Sequence, residues 1–154
     1  MQVTDLISPD RIACGVDAQS KKRALETLSD LIAKDRQQIS SHDVFDSLLA
    51  RERLGATGVG HGVAIPHGRL RKSEQTIGAL IRLKDGIDFG ALDNEPVDLL
   101  FALLVPEEST EEHLQILSSL ATLFSDAAFR EKVRNAKTPE DMYKILTDWS
   151  KDSG

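Results

Sequence analysis

Apolar residues along this chain keep one spacing, lose it, and regain it. From residue 20 to residue 37, Ala24, Leu25, Leu28, Leu31 and Ile32 recur at three- and four-residue intervals and predict a helix, with Ser20 as its N-cap. Val44, Phe45, Leu48 and Leu49 repeat the stripe and predict a second helix from Ser41 to about Leu54. RIACGV, ahead of both, reads as a short extended segment. After His67 the period changes. TIGALIRL at 76–83 and VDLLFALLV at 97–105 are apolar runs of strand length, and the second is nearly continuous, as a strand covered on both faces would be. Between them GIDFGALDNEP is broken by Gly86, Gly90 and Pro96, which leaves room for a short strand at most, and turns.

The last third returns to helical spacing. His113, Ile116, Leu117, Leu120 and Phe124 form one stripe, with Ser109 and Glu112 matching a capping box at its start. A short helix holding Phe129 and Val133 follows. Thr138-Pro139-Glu140-Asp141 then opens a final helix, with proline at the first helical position and acids in the first turn. Met142, Tyr143, Ile145, Leu146 and Trp149 are its packing residues. This order predicts an α/β fold, a mixed β-sheet flanked by helices. No repeat or Pro/Ser-rich linker divides the chain, so residues 1–154 are expected to form a single domain.

Composition narrows the function. A net charge of -6 opposes nonspecific nucleic-acid binding, which requires a clustered lysine and arginine footprint. Cys14 is the single cysteine, so an intramolecular disulfide and a cysteine-based metal knuckle are both excluded. MQVTDLISPDR lacks the pattern of a signal peptide, and the longest apolar run, LLFALLV, is too short to cross a bilayer. The expectation is a cytoplasmic protein with no membrane insertion.

The chemistry concentrates in GATGVGHGVAIPHG, residues 55–68, which carries five of the ten glycines and two of the four histidines. It is not a phosphate-cradling P-loop, because no Lys-Ser or Lys-Thr pair follows. It is not a dinucleotide turn, because the third glycine of either register is replaced by Val63 or Ile65. If GVAIP is extended, His61 and His67 share a face but lie roughly 20 Å apart, so a metal site built on His61, His67 and His113 requires a turn. Pro-His-Gly is also compatible with a plain turn carrying an idle histidine. Against that, Pro66 fixes its own φ and restrains Ile65, so the His67 side chain is held in place. Gly68 and the upstream glycines leave room for another molecule's backbone.

RERLGATGVGHGVAIPHGRL resembles the signature of enzyme IIA proteins of the phosphoenolpyruvate-dependent phosphotransferase system, mannitol/fructose-type group. GIDFGALDNEPVDLLFALLVP, followed by HLQILSSLA, resembles the stand-alone nitrogen-regulatory (IIA-Ntr) branch, and the match runs through essentially the whole chain. The resemblance implies a mannitol-type IIA fold. It implies that His67 accepts a phosphoryl group from a histidine-phosphorylated, HPr-like carrier. It gives His113 as the second active-site histidine, Arg51 as the arginine of the same pocket, and Thr57 as a small hydroxyl residue lining the phosphate site. It implies no cofactor and no resident metal, and it assigns His61 no role. The implied partners are the carrier and regulatory targets in nitrogen metabolism and potassium transport, such as a transporter or a sensor kinase. Regulation is expected rather than metabolic catalysis, since no sugar-transport domain is attached. The alternatives are a sugar-transport IIA component that passes phosphate to a IIB domain, and a zinc-binding module or hydrolase using His61, His67 and His113.

The chemistry suits the residues. An imidazole of pKa about 6.5 is largely neutral near pH 7 and offers a nitrogen lone pair to phosphorus. Its other nitrogen must be held as N–H, so a backbone carbonyl or carboxylate is expected beside His67. Arg51 supplies a permanent forked donor for the equatorial oxygens. His113, in the first turn of its helix, lies where the helix terminus disfavours imidazolium. Arg69, Arg71 and Lys72 form a basic cluster after His67, for which a solvated strand-end charge cluster is the expected role and docking of an acidic carrier the alternative. Asp88, Asp93, Glu95 and Asp98 are expected at the surface or in turns.

Overall fold

A computed structural model describes residues 2–34, 36–71, 73–108 and 111–153, with side chains through 149 in the last helix. The N-terminal stretch makes two short 3-10 turns, Val3–Asp5 and Pro9–Arg11, and leads into β1 (Ile12–Val16). Helix α1 (Lys21–Ala33) follows, and the Ser20 hydroxyl accepts the Arg23 N–H at its start. It ends four residues earlier than the stripe predicted, with Lys34 already extended at ψ 131°. The physical reason is that residues 34–38 hold no apolar side chain to bury, and the chain re-enters the core only at Ile39. Helix α2 (Ser41–Leu54) is capped by Ser40, whose hydroxyl accepts the Asp43 N–H, and buries Val44 and Leu48 with Phe45 and Leu49 half-covered.

The glycine–histidine segment is where the structure adds most. It forms three short strands: β2 (Gly58–Gly60), β3 (Val63–Ala64) and β4 (His67–Leu70). The two long strands are β5 (Ile77–Ile87) and β6 (Val97–Pro106). Three helices complete the chain: α3 (Glu111–Ser125), α4 (Ala127–Asn135) and α5 (Pro139–Ser153). The capping residues expected for α3, Ser109 and Thr110, and Lys72 of the basic cluster lie outside the described residues.

The sheet is mixed and runs β1-β5-β6-β3-β2, with β4 also paired to β6. Strand β5 is parallel to β1 and antiparallel to β6, while β3 and β4 are both parallel to β6. Strand β6 is covered on both faces, as its unbroken apolar run predicted, and Leu99 through Val105 are fully buried. Its side chains alternate. Leu100, Ala102 and Leu104 join α1 and α2 through Leu25, Leu28, Val44 and Leu48. Leu99, Phe101, Leu103 and Val105 join α3, α4 and α5 through Leu120, Phe124, Phe129, Val133 and Leu146. Period-two alternation on a central strand thus builds two cores, one on each side of the sheet.

Two polar residues in these apolar stretches are structural. Arg82, within TIGALIRL, donates from Nη1 to the carbonyls of Val133 and Ala136 and so satisfies the C-terminal end of α4. Asp98, expected at the surface or in a turn, is partly exposed near the start of β6 and pairs through both carboxylate oxygens with Arg134 of α4, at 2.9–3.2 Å. Arg134 also donates to the His61 carbonyl at 2.6 Å, which pins the tip of the β2–β3 hairpin. The tip residues His61 and Gly62 have φ of 58° and 79°, as a two-residue hairpin turn requires.

Helix α2 lies directly on β4 because residue 68 has no side chain. A Cβ there would stand 3.0 Å from the Ser47 carbonyl carbon and 3.1 Å from its oxygen. The room that the sequence offered to another molecule at Gly68 is filled by the protein's own helix. Gly68→Ala should therefore lift α2 and cost about 1–3 kcal/mol, as overpacking of a close-packed contact does. Urea unfolding monitored by circular dichroism checks this, and an unchanged midpoint would contradict the packing described.

Candidate functional site

Strands β3 and β4 are one line of chain along β6, interrupted at Ile65-Pro66. Ala64 faces Leu100 and His67 faces Leu103, so the register is kept across the gap. Proline has no N–H to give the ladder. At the break the Ile65 N–H donates to Thr57 O at 3.0 Å, away from β6, while Pro66 O still accepts the Leu103 N–H of β6 at 2.9 Å. The Ile65 carbonyl accepts from Nδ1 of His67 at 2.9 Å, the bond expected on chemical grounds but not assignable from sequence.

His67, half-buried at the head of β4, is held at its other nitrogen too. Arg51, in the last turn of α2, donates from Nε to His67 Nε2 at 3.1 Å. Its Nη1 donates to the Gly55 carbonyl at 2.8 Å, which fixes the guanidinium on the helix's own C-terminal turn. Ser47 and Arg51 are one turn apart on the same face of α2, so the contact that Gly68 permits under Ser47 also brings the guanidinium down onto the imidazole. Both bonds select the same tautomer. Nδ1 carries the proton and Nε2 the lone pair.

His113 enters from the opposite layer, as the third residue of α3. Its ring meets that of His67 edge-on, with centroids 5.3 Å apart and planes 77° apart. The residue is 6% exposed, and neither ring nitrogen has a hydrogen-bond partner among the described residues. Burial lowers the pKa of both histidines. For His67 the Ile65 carbonyl opposes this and Arg51 adds to it; for His113 the neighbouring His67, Arg69 and Arg51 add to it. Both rings are therefore neutral near pH 7.

The remaining candidates go to different places. Thr57 is buried, and its hydroxyl donates to a Glu52 carboxylate oxygen, so it is committed to the end of α2. His61 is exposed at the hairpin tip, where its N–H donates to Asp93 at 3.0 Å. Among the described residues no group of three or more histidine, cysteine, aspartate or glutamate side chains is placed to hold a metal ion. Arg69 and Arg71 are drawn to Glu107: the Arg71 guanidinium pairs with its carboxylate at 3.1 Å and Arg69 approaches its carbonyl at 3.5 Å. Sequence reasoning missed Glu52, a carboxylate buried beside the site. Its signal was an acid in a helix's last turn, just ahead of a glycine, where a basic residue is favoured.

Comparison with known proteins agrees with this architecture. The family model for the phosphoenolpyruvate-dependent sugar phosphotransferase system, EIIA 2, matches residues 5–149. The chain is 43% identical over 148 residues to a nitrogen regulatory protein of Pseudomonas aeruginosa, with 96% of each covered. It is 42% identical to the crystal structure of nitrogen regulatory protein IIA-Ntr from Neisseria meningitidis, with a TM-score of 0.88 over 94% of this chain and 98% of that one. The IIA mannitol structure from Escherichia coli, 21% identical, shares the fold with a TM-score of 0.76 over 91% of this chain and 98% of its own.

The lowered histidine pKa values set the direction of a pH effect. Unfolded histidine binds protons near its ordinary 6.5, whereas the folded rings resist them to lower pH. Stability from this source is fully present above about pH 6.5 and is lost as the pH falls through the folded values. Imidazole resonances of His67 and His113 should titrate below the ordinary histidine value of about 6.5, and the urea midpoint should fall on mild acidification. Titration of His67 above 6.5 would contradict the geometry.

Proposed function

The chain belongs to the EIIA 2 family of the phosphotransferase system, in its nitrogen-regulatory branch, and on that premise we propose that it is a regulatory phosphocarrier whose acceptor is His67. The observation that carries this reading is the pair of bonds on one ring. Ile65 O holds the Nδ1 proton, which leaves Nε2 as the nucleophile, and the Arg51 guanidinium stands on the same side as that lone pair. A histidine-phosphorylated, HPr-like protein delivers the phosphoryl group. The Nε2–P bond forms as the carrier's N–P bond breaks, so one phosphoramidate replaces another and no co-reactant is required.

Arg51 changes partner in this step. Its Nε–H leaves the lone pair and turns to the phosphoryl oxygens, while Nη1 keeps its hold on Gly55 O. A fixed cation facing the three equatorial oxygens is the principal help a protein gives to phosphoryl transfer. The His113 ring has nitrogens free to donate one further hydrogen bond to the same oxygens. Because burial and the neighbouring His67, Arg69 and Arg51 keep that ring neutral, it contributes an N–H without a second full charge. Phosphorylation then places about two negative charges at a half-buried point on the surface, enough to make or abolish a protein interface. The regulated partners are proteins of nitrogen metabolism and potassium transport, such as a potassium transporter or a sensor kinase.

His67→Ala should abolish acid-labile incorporation from phosphoenolpyruvate supplied with the general carriers. Alkaline mass spectrometry should place the phosphoryl group of the unaltered protein on residue 67. Arg51→Ala should slow transfer by about 10²–10³-fold, the usual cost of one charge-stabilising donor. His113→Ala should slow transfer while His67 still becomes labelled. Labelling of the His67→Ala protein at the original rate would overturn the assignment, and rapid onward transfer to a IIB domain would move the reading to sugar transport.

A further inference from the structure

We propose that Glu52 is a positioning residue that holds both nitrogens of the His67 ring in their roles, a claim that rests on His67 being the phosphoryl acceptor. The Glu52 side chain is 2% exposed. A carboxylate survives such burial only when it is bonded from several directions. Three donors meet it here. Lys21 Nζ reaches across from α1 at 3.0 Å, the Thr57 backbone N–H donates at 3.1 Å, and the Thr57 hydroxyl donates to the second oxygen. This clasp closes the loop of residues 52–57, and two chains of hydrogen bonds leave it.

The first runs through Thr57. Its carbonyl accepts the Ile65 N–H at 3.0 Å, and the carbonyl of that same Ile65 accepts Nδ1–H of His67 at 2.9 Å. The second runs through Gly55, inside the clasped loop. Its N–H donates to the backbone carbonyl of Glu52 at 3.2 Å, its own carbonyl accepts Arg51 Nη1 at 2.8 Å, and Arg51 Nε meets His67 Nε2 at 3.1 Å. The buried carboxylate thereby fixes, through Thr57, the carbonyl that sets the tautomer, and it closes the loop in which the main-chain anchor of the Arg51 guanidinium lies. Glu52 acts on the ring only through these neighbours. Small displacements at such a site have large effects on rate, because the attacking nitrogen must point along the N–P axis.

The test uses the full chain labelled with nitrogen-15. Long-range proton–nitrogen correlation reads which His67 nitrogen bears the proton, and carrier-dependent phosphorylation is timed on the same samples. In the unaltered protein the shifts should report Nδ1–H. Glu52→Ala should average the two nitrogen shifts and slow transfer by about 10–100-fold, the scale of a misplaced reacting group. Glu52→Gln keeps one acceptor oxygen and gains an amide donor for the Thr57 hydroxyl, and should recover most of both readouts. If Glu52→Ala does not fold, Thr57→Val, which matches the volume and removes only the hydroxyl, carries the test with the same expected direction. Unaltered nitrogen shifts in a folded variant overturn the proposal, whether or not the rate falls. The shifts judge Glu52 even if labelling were found on a residue other than His67, so the two failures are distinguishable.

Discussion

The architecture depends on a strand that has no face toward water. Residues 99–105 are apolar at every position and fully buried, so the sheet needs helices on both sides and β6 must lie inside it. One edge of β6 is taken by β5, its antiparallel neighbour. The other is shared by two short strands in a single register, and the proline between them forces the break. What looks like a defect in the sheet is the origin of the site. At the break the Pro66 carbonyl keeps the link to β6, while the Ile65 N–H holds the loop after α2 and the Ile65 carbonyl holds the imidazole of His67.

From this break the chemistry follows by packing. A helix from each layer ends or begins beside the same ring, α2 with its C-terminal arginine and α3 with its N-terminal histidine. Burial between the layers keeps the two imidazoles neutral, and the nearby guanidinium works in the same direction. A phosphoryl group arriving there would meet fixed positive charge and an uncharged nucleophile. That combination favours transfer to nitrogen without a large reorganisation of the protein. The guanidinium's other arm rests on the Gly55 carbonyl, within the loop that the Glu52 carboxylate and Thr57 close.

The hydrophobic periods made most of the fold legible. Helix starts at residues 21 and 41 matched serines able to accept a backbone N–H, and the continuous run at 97–105 is the central strand. Misjudged were places where local signals run out. The first helix stops at Ala33 because nothing beyond it can be buried until Ile39, a fact about where the core ends. The three small strands of residues 58–70 escaped because glycine-rich pieces of two to four residues carry no period to detect. The pairing of Asp98 escaped because its partner, Arg134, is 36 residues away.

By its residues alone the chain determined which segments are helix and long strand, that a proline must hold His67 stiffly, and that imidazole is its plausible nucleophile. Its resemblance to a known family named Arg51 and His113 beside it. Only the tertiary structure decided which atoms meet: the Ile65 carbonyl on Nδ1, Arg51 on Nε2, Thr57 turned to Glu52. The reason is physical. Periodicity reports which face of an element is dry and is written into neighbouring residues. A contact between side chains of α2, β4 and α3 depends on how closely two layers approach across a sheet, and that distance is set by Gly68, Pro66 and the bulk of both cores together.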